Sequence, residues 1–352
     1  MRSSYRSEDV TLLLKDITGL VEPLPASERE RRIQSGTHYC EMLPLEYTPT
    51  EAYMEAYRQA LKNYAKAVAE ATGVLAQKLY QRKGKSLVIV SLARAGIPIG
   101  ILLKRYLREK YGADVPHYAI SIIRGRGIDR NAVNYILERH DPSSVQFIDG
   151  WIGKGAILGQ LRDALREYPQ LDASLGVISD PAELTDLCGT HQDILIPSSC
   201  LNSTVSGLIS RTFLRSDLIG ENDFHGAAYY SELAPHDLSE EFLQAVGKFF
   251  CFEDIPDTPE KLLSGSSEII RSIQEAYHIG DINFIKPGIG EATRVLLRRI
   301  PWKVIVNEMF SGADELRHIT QLAAEKGVPC EISRVPLGNY KVCGLIRQLS
   351  DI

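Results

Sequence analysis

Between Leu87 and Ile196 the sequence changes period in the same way again and again: an apolar run, a short polar turn, then an amphipathic helical stretch. "SLVIVSLA" runs into "IPIGILLKRYLREKY", "VPHYAISII" into "NAVNYILERH", "SVQFIDG" into "AILGQLRDALREY", and "LGVISD" into "PAELTDL". Apolar strands separated by helices can bury both faces only in a mostly parallel sheet covered by helices on either side, so the chain reads as an α/β protein. In the last unit Asp180 suits an N-cap, Pro181 the first helical position and Glu183 a capping box, which predicts a helix over 181–187.

At 352 residues the chain exceeds a typical single domain. Ahead of the repeated units, the stretch from Thr50 to Gly84 has a helical apolar period, with Gly73 a predicted break and Gly84 a stop. Near "CFEDIPDTPEKLLSGSSE" the composition turns to Pro, Ser, Gly and acids. This divides the chain into a first domain over 1–254, a linker over 255–267 and a second domain over 268–352. The second reads as a small α/β/α unit: a helix from "PGIGEATRVLLRR", a strand "KVIVNE", a helix "ADELRHITQLAAEKG", a strand "VPCEIS" and a short closing helix.

A net charge of -5 gives no global argument for a nucleic-acid partner. The N-terminus lacks the apolar core of a secretion signal, and the apolar stretch "AGIPIGILL" stops at Lys104, short of a membrane span. A cytoplasmic protein with no membrane partner is expected. Six cysteines without a C-x-x-C pair argue for reduced thiols. "CGTH" sets Cys188 and His191 at metal-ligand spacing, but no second pair accompanies them, so Cys188 reads as a structural thiol.

Ligands of open parallel sheets bind at the carboxyl ends of the strands. Three such ends carry polar, glycine-containing loops here. In "SLARAGIPIG", Arg94, Ala95, Gly96 and Pro98 form a strand-to-helix turn whose N–H groups and guanidinium suit an anion. In "RGRGIDRN", Arg124 and Arg126 sit between glycines as a mobile cationic loop. In "FIDGWIGKGA", Asp149 ends a buried strand, Gly150, Gly153 and Gly155 let the backbone wrap an anion up to Ala156, and Lys154 adds a point charge.

These loops resemble the phosphoribosyltransferase superfamily, in which a loop of the kind R-x-G-x-P and a later acid-ended strand with a phosphate loop hold phosphoribosyl pyrophosphate (PRPP). The resemblance implies a phosphoribosyltransferase-like mostly parallel sheet, a sugar-phosphate partner and Mg²⁺ at Asp149, directly or through water. It also implies transferase chemistry by Asp149, Arg94, Arg124 and Arg126, in nucleoside-like metabolite synthesis or RNA-linked modification. The alternative is a non-catalytic, nucleotide-sensing RNA-binding protein. The family pattern has two adjacent acids where this chain has Asp149 and Gly150.

Outside the motifs, "IQSGTHYCEMLPLEY" with His38, Glu41 and Glu46 reads as a hood over the site. Ser199, Asn202 and Arg211 in "LIPSSCLNSTVSGLISRTF", with Asp223 and His225, are further candidate substrate contacts. Across nearly its whole length the chain also resembles the StiP family, found with stress and tellurite-resistance genes and labelled cysteine protease. That label needs a nucleophile and a base, for which Cys200 with His191 or His225 is the pair the sequence offers. Without an evident base around Cys200, protease activity ranks below transferase.

The second domain resembles the RNA-binding fold of Pelota-type and kink-turn-binding ribosomal proteins, on "KPGIGEATRVLLRRIPWKVIVNE" and its ending "LGNYKVCGLI". The resemblance implies contact with structured RNA through Lys286, Gly288, Gly290, Glu291 and Arg294. From Asp281 onward ten basic residues face eight acidic ones, with Arg294, Arg298, Arg299 and Lys303 close in sequence.

Overall fold

A computed structural model describes residues 1–255 and 265–347. Most of the expected linker, 255–267, lies outside the described residues. The first part of the chain runs β1 (Thr11–Leu12), β2 (Lys15–Asp16), α1 (Ala26–Gln34), α2 (Glu51–Lys83), β3 (Val88–Ala93), α3 (Gly96–Tyr111), β4 (His117–Ile123) and β5 (Gly127–Ile128). It continues through α4 (Arg130–Leu137), β6 (Val145–Trp151), α5 (Ala156–Ala164), β7 (Leu175–Ser179), β8 (Cys188–Thr190), β9 (Gly226–Ala227) and α6 (Ser239–Gly247).

The principal sheet has the order β1-β4-β3-β6-β7-β8, parallel throughout, with β5 added antiparallel to β4. Every residue of β7 is buried, as strands covered on both faces require. α2 and α3 cover one face, and α4 and α5 supply Ile136, Leu158 and Leu161 to the apolar layer on the other. The expected fold class, a mostly parallel sheet flanked by helices and followed by a second α/β unit, is the observed one.

Three local expectations change. Gly73 does not break α2: a Cβ there would stand 3.0 Å from the Tyr106 hydroxyl, so the glycine permits close packing of α2 on α3. Gly84, at φ +58°, does end the helix. No helix forms over 181–187, because the Asp180 carboxylate accepts from Leu184 N and Thr185 N, at 2.6 and 2.8 Å, and Glu183 takes a positive φ of 55°. The result is a wide loop leading to edge strand β8.

The second unit comprises α7 (Ser266–Ala276), β10 (Ile285–Pro287), α8 (Ile289–Arg298), β11 (Pro301–Val306), α9 (Arg317–Glu325), β12 (Cys330–Ile332) and β13 (Val342–Ile346). The predicted closing helix is instead β13, wholly buried between β10 and β11 in a sheet of order β10-β13-β11-β12. The run "VCGLI" is apolar on both faces, which suits a central strand rather than a helix with a wet side. Both units share apolar layers, with Ile289, Ala292 and Leu296 of α8 packed into the α2–α3 cluster.

A hood closes the carboxyl ends of β3 and β4. β2 pairs with β9, and Phe213 bridges Gly226. Ile17, Leu43, Phe213, Ile219 and Ala228 form a small apolar core of their own. No helix among the described residues is long and apolar enough to cross a membrane.

Candidate active site

The loop after β3 meets the hood through Arg94, whose Nη1 donates to the Glu46 carboxylate at 3.0 Å and to the Ile209 carbonyl at 2.8 Å. Ala95 is exposed and Pro98 is buried in α3. Gly96 is confined by backbone, since a Cβ on it would lie 2.5 Å from the Ile148 carbonyl oxygen. The glycine of the R-x-G-x-P turn is therefore demanded by packing against β6.

The loop after β4 is pinned to the 3₁₀ turn Tyr39–Glu41. Arg124 N donates to the Tyr39 hydroxyl at 3.0 Å, and Arg126 pairs with Glu41 at 2.9 Å. The Arg124 carbonyl lies 3.1 Å from His38 Nε2. A carbonyl can only accept, so Nε2 carries the imidazole proton and Nδ1 is an acceptor. Facing Nδ1 is the Cys40 sulfur, at 2.9 Å. Cys40 is 1% exposed, and His38 is half-buried. Burial pushes the Cys40 thiol up to about 11, against the pull of the Arg126 charge.

The loop after β6 is committed to the second unit. Lys154 Nζ donates to the carbonyls of Ile282 and Ile285, at 2.5 and 3.3 Å, and the Gly153 carbonyl accepts from the Tyr340 hydroxyl at 2.7 Å. Gly155, at φ +84°, leads into α5, whose first residue Ala156 is exposed. Burial holds Lys154 down at about 8. Gly150 N donates to Asp149 Oδ1 at 2.8 Å. That carboxyl remains part-exposed in a crevice deep enough that desolvation raises it to about 7.

The residues expected to meet RNA face this crevice. Ile289 N donates to the buried Asp193 carboxylate, and Gly288, at φ +93°, has room for a Cβ only 3.2 Å from the same group. A Cβ on Gly290 would stand 3.6 Å from Trp151, and one on Gly153 would stand 3.5 Å from Glu291. Arg294 lies over the Trp151 ring at 5.6 Å and pairs with Glu291 at 3.3 Å. Burial and the neighbouring Arg94 and Arg294 depress half-buried Arg211 to about 9. Among the described residues, the side chains of Arg211 and Lys286 make no hydrogen bond or ion pair.

The other candidates have structural work. Asn202 accepts from Thr204 N and donates to the Tyr47 carbonyl, and Asp223 pairs with Lys15 at 2.6 Å. His225 meets Ser121 Oγ at 2.8 Å, while Asp129 receives its backbone N–H. Ser199 Oγ is buried without a hydrogen-bond partner among the described residues. Among the described residues no three His, Cys, Asp or Glu side chains converge as a metal donor set.

Cys188 lies 3.4 Å from His191 Nε2, and His191 Nδ1 is 2.9 Å from the Asp180 carbonyl. Cys188 belongs to the apolar layer under α5, and Cys200 to the one around α2. Cys40 belongs to neither and lies in the hood, against His38 and the Leu214 carbonyl, beside the loop after β4. The signal for it was present in the sequence, as "THYC" within the hood segment.

A model of the family described as "Tellurite-like stress resistance cysteine protease StiP" matches residues 3–247, and one described as "PELOTA RNA binding domain" matches 264–348. A protein of Acinetobacter baylyi named "Cysteine protease StiP" is 35% identical over 366 residues, which cover 98% of this chain and 94% of that protein. A hypoxanthine-guanine phosphoribosyltransferase of Bacillus anthracis is 18% identical over 34% of this chain and 69% of its own, with a TM-score of 0.26. A second structure of that enzyme is 15% identical over 39% and 74%, with a TM-score of 0.22. Similarity at that level carries no argument. The expectation of a PRPP-dependent phosphoribosyltransferase, with its nucleotide-sensing alternative, is thereby corrected: the family match and the full-length relative both carry the name of a cysteine protease. The physical counterpart lies in the loops, where Arg94 is bound by the hood and Lys154 by the second unit.

Proposed function

This chain belongs to the StiP family, and from that membership we propose that it is a thiol-dependent peptidase with Cys40 as nucleophile and His38 as base. The observation that carries the reading is the contact of Cys40 Sγ with His38 Nδ1 at 2.9 Å, with the opposite ring nitrogen held by the Arg124 carbonyl. A nucleophile, a base and a group that fixes the base's tautomer are the three parts such chemistry needs.

In this mechanism the Cys40 proton passes to His38 Nδ1 as the sulfur attacks the scissile carbonyl carbon. The C–N bond breaks, the departing amine takes that proton, and a thioester remains. Water, deprotonated by Nδ1, then attacks the thioester carbonyl and releases the acid, and the proton returns to the sulfur. Because burial keeps the thiol neutral, the base acts during attack rather than by storing a thiolate. The Arg126–Glu41 pair, whose charges act on the Cys40 thiol, is exposed and costs about 0–1 kcal/mol to part.

The test compares wild type with Cys40→Ala, Cys188→Ala and Cys200→Ala, using a peptide library and a cysteine-directed vinyl sulfone. Cleavage and labelling should vanish in Cys40→Ala alone. Retention of both in that variant, or their loss in Cys200→Ala with folding unchanged, overturns the assignment.

A further inference from the structure

We propose that the crevice between hood, sheet and second unit binds a small phosphate ester, with Arg211 as its main ligand and Arg294 and Lys286 completing the cationic wall. Arg211 lies on the extended segment between the Ile209–Tyr229 and Phe213–Gly226 bridges, two residues from the Ile209 carbonyl that Arg94 holds. Arg94, on the neighbouring loop, is already bound to Glu46 and the Ile209 carbonyl. Arg294 enters from α8 across Trp151. Lys286 enters from β10, within reach of the charges of Arg294 and Glu291.

The charges do not cancel within the protein. Glu46 is engaged by Arg94 and by Ser203 N, at 2.7 Å, and Glu291 is engaged by Arg294. Arg211 and Lys286 make no hydrogen bond or ion pair among the described residues, feeling Glu46 and Glu291 only as nearby charges, and a confined cation without a bonded partner is expensive unless an anion enters. Two uncompensated positive charges suit a dianion better than a single carboxylate. A guanidinium fork matches the oxygens of a phosphate.

A buried hydroxyl supports the same place: Ser199 is 6% exposed, yet among the described residues its Oγ has no hydrogen-bond partner. A Cβ on Gly290 would approach Ser199 Oγ to 3.8 Å, which sets that hydroxyl beside the start of α8, one turn from Arg294. Asp149, held near 7 by burial, exists partly as a neutral acid that can donate to a phosphate oxygen. A small ligand fits better than a polymer because three contacts close the crevice on the side of the second unit: Lys154 to Ile282, Tyr340 to Gly153, and Ile289 to Asp193.

The site uses none of the groups assigned to thiol chemistry, so its failure and the failure of the peptidase reading are separable. The test is calorimetric titration of the full chain with inorganic phosphate, phenyl phosphate, acetate and a short single-stranded RNA, with thermal unfolding as a second readout. Both phosphates should bind at one site and raise the melting temperature, and acetate should do neither. Arg211→Gln and Lys286→Gln, which lie in different units, should each weaken phenyl phosphate by about tenfold or more. The proposal is overturned if neither phosphate binds or if folded Arg211→Gln and Lys286→Gln bind as wild type does. Binding of RNA in place of both phosphates also overturns it.

Discussion

The carboxylate of Asp193 accepts the backbone N–H of Ile289 with both oxygens, at 2.9 and 3.1 Å, at the first residue of α8. One of those oxygens also accepts Lys341 N at 2.9 Å. An acid of the first unit thus occupies the positive end of a helix that, by resemblance, was expected to face RNA. The two units are joined at this point by charge as well as by apolar packing.

Asp193→Ala should orphan both N–H groups and destabilise the chain by about 1–3 kcal/mol for each. Burial holds this carboxyl up at about 6, above its ordinary 3.8. A raised folded-state value means the folded chain grips the proton more tightly than the unfolded chain does. The contribution is complete below the ordinary value and is lost as pH rises through about 6. Urea unfolding of wild type and Asp193→Asn across this window should show the wild type losing about 3 kcal/mol more than the variant. Parallel pH profiles would show that this carboxyl does not titrate as described.

If the docked α8 start hides an RNA-contacting surface, Asp193→Ala in the full chain should increase affinity for a kinked-stem RNA. The gain should shrink with added salt, as phosphate contacts require. Electrophoretic mobility shifts at several salt concentrations measure it. An unchanged affinity would leave α8 as a docking helix alone.

Cys40 should react slowly with iodoacetamide at neutral pH, with a midpoint near 11. Glu41→Gln removes the Arg126 partner and a negative charge that raises the thiol, so labelling should accelerate. Arg126→Gln removes the charge that lowers it, so the midpoint should move up. Site-resolved mass spectrometry over a pH series reads both. Identical midpoints in the two variants would show that neither charge reaches the sulfur.

Lys154→Ala should act on docking rather than on ligand binding. It removes the Lys154 hydrogen bonds to the carbonyls of exposed Ile282 and of Ile285, worth about 0.5–1.5 kcal/mol each in net terms. Phosphate affinity should stay within about twofold of wild type, whereas a residue touching the phosphate would cost about tenfold. A tenfold loss on calorimetric titration would return Lys154 to the ligand.

Gly96→Ala and Gly150→Ala form a contrasting pair. The first drives a methyl to 2.5 Å from the Ile148 carbonyl, within rigid backbone, and should cost about 1–3 kcal/mol. The second meets its nearest atoms at 3.7 Å and should stay within about 0.5 kcal/mol of wild type. Equal melting temperatures for the two would contradict the packing described here.

The layered sheet was legible because its strands are buried on both faces and its helices on one, a difference of period that survives in sequence. The helix expected at 181–187 failed because cap residues specify an N-terminus only if the following turns bury an apolar stripe, and here the Asp180 carboxylate satisfies Leu184 and Thr185 instead. Gly73 was misread because sequence records a missing side chain and not Tyr106 standing opposite. The three carboxyl-end loops were found, but their partners were not. Arg94, Arg126 and Lys154 had the residue types of anion ligands, and their engagement by Glu46, Glu41 and two carbonyls depends on segments distant in the chain.

By itself the sequence determined the strand-and-helix alternation, the hood segment, the change of composition before the second unit and the reservoir of cations at the strand ends. These depend on local period and residue type, which neighbouring residues suffice to define. Only the tertiary structure decided that Arg94, Arg126 and Lys154 are engaged by other segments, and that the α8 start faces Asp193 rather than solvent. Each of those outcomes rests on distance and desolvation between groups far apart in the chain, quantities that no local pattern encodes.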